Sequence, residues 1–266
     1  MAPEAARSSA QGTLGMVPTI DLVMICGRRP SLLSQTLASF GARMFPHFRV
    51  ANVIANIDPF MGDEAAGNDC ADLLRIAFAP SAAQLHIFRP ETAGFATAVQ
   101  RAWRATTSDF VFHMEDDWKA REDITPQPFF DLLAPDDVQA VTLVCATKHT
   151  RGLPRQTYRR ITRSPRGYIL KDELINAFST SPGMFKGPFL RAAADLLDIR
   201  LDPEKQFFKG LNPALEALAL PYRCMFLRGA NERDAIEDIG RDYRDQLGLK
   251  KLLIDGQAVW ERVQPD

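Results

Sequence analysis

Apolar positions along this chain fall into short, nearly continuous runs separated by stretches with a helical repeat. Thr19 to Cys26 (TIDLVMIC), Val50 to Ile57 (VANVIANI), Leu85 to Phe88 (LHIF), Phe110 to Met114 (FVFHM), Ala140 to Cys145 (AVTLVC) and Tyr222 to Leu227 (YRCMFL) each read as a strand, the longer runs as strands buried on both faces. Between them the period changes. Leu32, Leu33, Thr36, Leu37 and Phe40 recur at helical spacing and predict a helix capped by Ser31. Ala96 to Thr106, Phe129 to Leu133 and Pro188 to Asp198 are also predicted helices, and Met61 to Asp72 a loop running into another. Strand and helix alternate through the first 120 residues. That alternation implies an α/β fold with a mostly parallel sheet and right-handed crossovers.

The second half is less regular. Lys148 to Arg166 is strongly basic and reads as a hairpin or loop on a solvated face, or as one that meets an anionic partner. Ser179 to Gly187 is small, polar and Gly-containing, which suits a backbone approaching a ligand closely. Asp202-Pro203-Glu204-Lys205 opens a predicted helix through Leu218, and Gly229 to Arg241 is an acid-rich loop. Asp242 to Arg262 reads as a helical tail. Its final apolar patch suits core, a dimer contact or a weak peripheral membrane contact, with core first. Residues 1–17 form an expected disordered lead.

Charge sharpens this outline where the fourth strand ends in Glu115-Asp116-Asp117. A buried strand cannot absorb three carboxylates, so they should lie just past its C-terminal end, where open α/β sheets bind ligands. Crowded carboxylates repel one another, and a divalent cation is the simplest relief. Two other strand ends carry ligand-type residues, Arg28-Arg29 after the first and Asp58 after the second. The arginines suit a phosphate or a surface position. Asp58 suits a base or ribose hydrogen bond or a turn cap.

Composition excludes several classes. The 266 residues carry a net charge of -1, so no global basic field favours nucleic acid. No run of 18 apolar residues predicts a membrane span, and no apolar leader precedes the first strand. Cys26, Cys70, Cys145 and Cys224 form no CxxC pair and read as buried thiols of a cytoplasmic protein.

In order and spacing these features resemble the GT-A glycosyltransferases, those similar to family 2 in particular. Thr19 to Phe40 looks like that family's first strand, nucleotide loop and helix, and Asp58 is placed like its base-contacting acid. Glu91 to Ala105 (ETAGFATAVQRAWRA) looks like the segment before its metal strand, and Glu115-Asp116-Asp117 is similar to its D-x-D motif. The resemblance implies a single Rossmann-like GT-A domain, with residues 18–120 binding a nucleotide sugar and 121–266 binding the acceptor. It implies Mn²⁺ or Mg²⁺ on Asp117 and Asp116, and a donor, a UDP-sugar first, bound by Cys26, Arg28, Asp58, Gly94, Arg101, Glu115 and Asp116. It implies inverting transfer to a hydroxyl of a saccharide, lipid-linked glycan or protein. Glu204, Asp234 and Asp238 are the candidates for catalytic base; Asp234 or Asp238 could instead complete the metal shell. The chain departs from the family in Asp58-Pro59-Phe60, where Asp-Gly-Ser is commoner, and it lacks the QxxRW signature. A nucleotidyltransferase is an alternative that the single glycine of Gly27-Arg28-Arg29-Pro30 argues against. A non-catalytic binding protein of the same fold is another, and the intact acids argue against it. Oligomeric state is open.

Overall fold

The computed structural model describes residues 18–145, 156–158, 162–164, 167–169, 178–208, 210–229 and 233–262. The expected lead at 1–17 and about two thirds of the basic stretch at 148–166 lie outside them. In chain order the elements are β1 (Thr19–Cys26), α1 (Pro30–Arg43), β2 (Arg49–Ile57), α2 (Glu64–Phe78), β3 (Gln84–Phe88), α3 (Phe95–Arg104) and β4 (Phe110–Glu115). Then follow β5 (Trp118–Ala120), α4 (Pro126–Leu133), β6 (Val138–Leu143), β7 (Gln156–Tyr158), β8 (Thr162–Ser164), β9 (Gly167–Ile169), β10 (Gly183–Lys186) and α5 (Gly187–Leu196). The chain continues with α6 (Pro213–Ala219), β11 (Arg223–Leu227), β12 (Ile236–Asp238), α7 (Gly240–Gln246), β13 (Leu249–Ile254) and β14 (Gln257–Arg262).

β1 is buried at every position after Thr19, as an apolar run with helices on both faces must be. It pairs in parallel with β2 on one side and β4 on the other. The central sheet has eight strands in the order β3-β2-β1-β4-β10-β6-β11-β7. Six of the eight point the same way, and β10 and β7 run against them. The architecture is therefore the expected α/β one, with a mostly parallel sheet between two helical layers. On one face α1, α2 and α4 bury Leu33, Leu37, Phe40, Leu74, Phe129 and Leu133. On the other, α3, α5 and α6 bury Val99, Trp103, Leu190, Ala194 and Leu215. Phe112 of β4 joins α1 to α4, with ring centroids 6.3 Å from Phe40 and 6.0 Å from Phe129. Burying each such ring contributes about 1.5–3 kcal/mol.

Four expectations are corrected. α1 starts at Pro30, with Arg29 rather than Ser31 at the capping position, because proline's fixed φ already suits the first helical turn. Residues 183–186 of the small, Gly-containing stretch form the antiparallel strand β10, not a ligand loop. Gly183 is required there because a Cβ would stand 2.7 Å from the Val141 carbonyl oxygen. The helix expected from Asp202 to Leu218 is broken into a short 3-10 turn at Lys205–Phe207 and α6. Gly210, at φ +70°, takes the left-handed backbone, and Asn212 then caps a new start by accepting the Leu215 N–H. The expected helical tail is only α7, followed by the antiparallel hairpin β13–β14. Asp255 and Gly256 both have positive φ, 50° and 80°, the two-residue turn that an Asp-Gly pair favours.

Inside β4, His113 is fully buried and accepts a hydrogen bond at Nδ1 from Trp103 Nε1 at 3.0 Å. Burial pushes its imidazole down to about 3, against a small opposing pull from the Thr180 backbone. The folded protein thus refuses a proton that the unfolded chain takes up near pH 6.5. Stability tied to His113 is complete above pH 6.5 and is lost as pH falls from there toward 3. Urea denaturation should show a loss of about 1–2 kcal/mol from this group between pH 6.5 and 5. His113→Gln, whose amide oxygen can still accept from Trp103, should lack that slope.

Candidate active site at the C-terminal edge of β1 and β4

The end of β4 is tied to the end of β1 by backbone and by charge. Asp116 N–H donates to the Ile25 carbonyl at 3.1 Å, and Thr36 Oγ1 donates to the Asp116 carbonyl at 2.7 Å. The fully buried Asp116 carboxylate accepts the Gly27 N–H at 2.9 Å and both Nε and Nη2 of Arg29. Arg29 also reaches Asp117 Oδ2 through Nη1 at 3.2 Å. Its side chain stands at the N-terminal cap of α1, so a short loop turns the guanidinium back onto the acids. Burial alone would lower its pKa, but Asp116 and Asp117 hold it above the usual arginine range.

Asp117 is fixed from the far end of the chain. Its carbonyl accepts the N–H groups of Ile239 at 3.0 Å and Gly240 at 3.3 Å. β5 and β12 pair so that Trp118 stands opposite Asp238. Gly240 lies against the Asp117 carboxylate, and a Cβ at that position would overlap Oδ2. Arg244, on α7, donates to the same Oδ2 at 3.4 Å and stands 3.8 Å from Asp238 Oδ2. Oδ1 of Asp117 receives no hydrogen bond among the described residues.

The cluster keeps an excess of negative charge. Burial, and then Asp117, push Glu115 up to about 8, while a hydrogen bond from Trp118 Nε1 at 3.2 Å pulls the other way. Burial and Asp117 likewise raise Asp238, with Arg244 opposing. Glu204 is close enough to add to the rise at Glu115, and Lys251 to oppose it. The fold thus gathers Glu115, Asp116, Asp117, Glu204 and Asp238 at one edge.

A second group lies at the ends of β2 and α3. Arg101 Nη1 donates to Asn56 Oδ1 at 2.7 Å, Asn56 Nδ2 to Asp58 Oδ1 at 2.7 Å, and Gly94 N–H to Asp58 Oδ2 at 2.9 Å. Asp58, Gly94 and Arg101 therefore share one hydrogen-bonded chain. Cys26 joins it through its backbone, since the Asp58 N–H donates to the Cys26 carbonyl at 2.8 Å, while the thiol is buried. Burial raises that thiol's pKa well above its usual value. Two predicted residues stand apart. Arg28 pairs with Glu64 at 2.6 Å, and Asp234 lies in the loop before β12 with no side-chain partner among the described residues.

Sequence reasoning missed Gly240, Arg244, Lys251, Phe60 and Trp260. Trp260 of β14 lies 5.4 Å from Phe60, which follows Asp58, and 5.8 Å from the Arg244 guanidinium. Lys251 donates to Asp202 Oδ2 at 3.0 Å and lies 5.6 Å from the Phe95 ring centroid. The Asp255-Gly256 turn between apolar runs was the one signal for this hairpin.

Among the described residues no three His, Cys, Asp or Glu side chains form a metal cage. The residues nevertheless fit a divalent cation of the kind that takes one or two carboxylates and completes its shell with phosphate and water. Asp117 offers an open oxygen in a cradle that only glycine leaves room for, and Asp238 lies beside it. Among the described residues no helix is long and apolar enough to cross a membrane.

No protein-family model and no curated protein matches the sequence. Solved structures do match. The mannosyltransferase PcManGT from Pyrobaculum calidifontis, in complex with GDP-Man and Mn²⁺, has a TM-score of 0.52 at 15% identity, over 81% of this chain and 56% of that one. TarS of S. aureus has a TM-score of 0.50 at 14% identity, over 79% of this chain and 35% of that one. The chain thus spans little more than half of the first and about a third of the second. It has the GT-A-like fold of these glycosyltransferases.

Arg29→Met leaves the Asp116 carboxyl buried without its cation, so that at neutral pH it must hold a proton or an unpaired charge, which should cost about 3–5 kcal/mol in urea denaturation. Burial already lifts the folded Asp116 carboxyl to about 6 against the pull of Arg29, and without Arg29 it rises further above its unfolded value. The defect should then shrink as pH falls through that folded value toward about 4, where both states carry the proton.

Proposed function

We propose that the protein is a metal-dependent glycosyltransferase that moves a sugar from a nucleotide-sugar donor to a hydroxyl acceptor with inversion. The observation that carries this reading is the arrival of Asp238 beside Asp117 at the end of β4, next to the chain of Asp58, Gly94 and Arg101. A GT-A-like fold, shared with a mannosyltransferase that was solved with GDP-Man and Mn²⁺, supports it. Residues 18–120 supply the nucleotide side and 121–266 the acceptor side, with β12, α7 and the hairpin reaching back to the donor.

In this reading Asp117 and Asp238 hold Mn²⁺ or Mg²⁺. Asp238 takes the second place because both Asp116 oxygens are committed to Arg29 and the Gly27 N–H. The bound cation would neutralise charge on the departing diphosphate. Asp116 holds Arg29, which orients Asp117. Asp58 and Arg101 orient the nucleoside, whose base is uracil by the sequence resemblance and guanine by analogy with the mannosyltransferase. Glu204 takes the proton of the acceptor hydroxyl. Its support is its place near Glu115 and its side chain, which pairs with Lys205 at 2.8 Å and is 31% exposed, so that an acceptor can reach it. With the base set apart from the diphosphate, the deprotonated acceptor oxygen attacks the anomeric carbon from the face opposite the leaving diphosphate, which inverts that centre.

Turnover of UDP- and GDP-sugars with Mn²⁺ tests the reading. Asp117→Ala should lower kcat/KM by about 10²-fold or more. Rates that match the unaltered protein would refute it. Glu204→Gln should lower kcat for transfer by roughly 10²–10⁴-fold with the donor KM nearly unchanged. A KM change alone would remove Glu204 from the role of base.

A further inference from the structure

Two guanidiniums converge on Asp117 Oδ2, and their surroundings differ. Arg29 is 7% exposed and holds Asp116 as well, so it has no second place to go. Arg244 is 24% exposed, and its two contacts are long, 3.4 Å to Asp117 and 3.8 Å to Asp238. Its guanidinium lies over the Trp260 ring, a soft face that holds a cation without a directed bond. Arg244 is thus the replaceable member of the pair. It stands between the two carboxylates that a divalent cation would take, and like charges cannot share that space.

We propose that Arg244 is an exchangeable counter-ion and a donor-binding residue. With the site empty it neutralises Asp117 and Asp238. A divalent cation displaces it, and its guanidinium turns to the donor's diphosphate, whose oxygens match its planar fork. α7 allows this because Gly240 anchors the helix start on Asp117 while Arg244 sits one turn further along, next to open solvent. The inference rests on the nucleotide-sugar reading above and adds a residue and an order of events to it. The exchange couples the two ligands. The cation must evict Arg244 to bind alone, and a diphosphate gives the evicted charge a partner.

The test uses the full chain and the free-Mn²⁺ paramagnetic resonance signal, with Mn²⁺ alone and with UDP or GDP added. Without nucleotide, Arg244→Gln should bind Mn²⁺ about tenfold more tightly than the unaltered protein. With saturating Mn²⁺ the same variant should bind the preferred diphosphate about tenfold more weakly. Arg244→Lys, which keeps the charge but not the fork, should keep weak Mn²⁺ binding and still lose diphosphate affinity. Asp117→Ala should abolish Mn²⁺ binding. If Arg244→Gln leaves Mn²⁺ affinity unchanged or weaker while Asp117→Ala abolishes it, the counter-ion role is wrong and the cation site stands. If Asp117→Ala binds Mn²⁺ like the unaltered protein, the cation site and the counter-ion role fall together.

Discussion

A buried guanidinium between two buried carboxylates governs this edge of the sheet. β4 carries no charge until it ends, its buried His113 being neutral, and the chain then places three acids in a row where solvent is scarce. Unpaired, charges buried there would cost several kcal/mol each. Arg29 offsets part of that cost for Asp116, whose carboxyl burial still lifts to about 6, and part of it for Asp117. It can do so because Gly27 and Pro30 make a tight exit from β1 that lets its side chain fold back toward β4. The same pairing ties the first strand to the fourth and sets the height of Asp117 above the sheet.

The other end of β1 shows what a purely structural carboxylate looks like. Asp21 is buried too, but it accepts the N–H groups of Thr107 and Ser108, the Ser108 hydroxyl and the Asn52 amide. Burial would raise its pKa, and these neutral donors bring it below the ordinary value. Nothing is left over to attract a ligand. At the C-terminal end the balance is reversed, since even with Arg29 and Arg244 present Glu115 and Asp238 are pushed up. The paired strands β1 and β4 therefore carry a satisfied acid near their start and an unsatisfied cluster beyond their end. The difference between them is the physical mark of a site.

The first half of the chain was legible because β1, β4 and the end of β2 are buried on both faces and the helices on one, so the apolar period separates them. The acids were legible because they end such a strand. The second half obeys other rules. β10 is only four residues long and its Gly183 serves close strand pairing, a use that local composition cannot distinguish from a ligand loop. The stretch after Asp202 has helix-forming residues, but Gly210 and Asn212 restart the chain, and the position of such a break is set by packing. In the tail, the apolar residues suited helix and strand alike, and the Asp255-Gly256 turn decides for strand. Asp238 was legible as an acid in a loop. That it lies beside Asp117, more than a hundred positions earlier, follows from the pairing of β5 with β12, which has no local signal.

The last thirty residues matter to the edge as backbone as much as side chain. Ile239 and Gly240 donate their N–H groups to the Asp117 carbonyl, and glycine is the residue that fits against its carboxylate. The hairpin touches the fold at two places, with Trp260 on Phe60 at one and the Gly256 carbonyl accepting the Asp202 N–H at the other. Asp202 in turn caps the turn bearing Glu204 by accepting its N–H and that of Lys205. Lys251 holds the second Asp202 oxygen. The position of Glu204 relative to Asp117 therefore depends on the hairpin rather than on the sheet alone. A sheet edge can gather charge by itself, but the returning chain sets the distance between Asp117, Asp238 and Glu204.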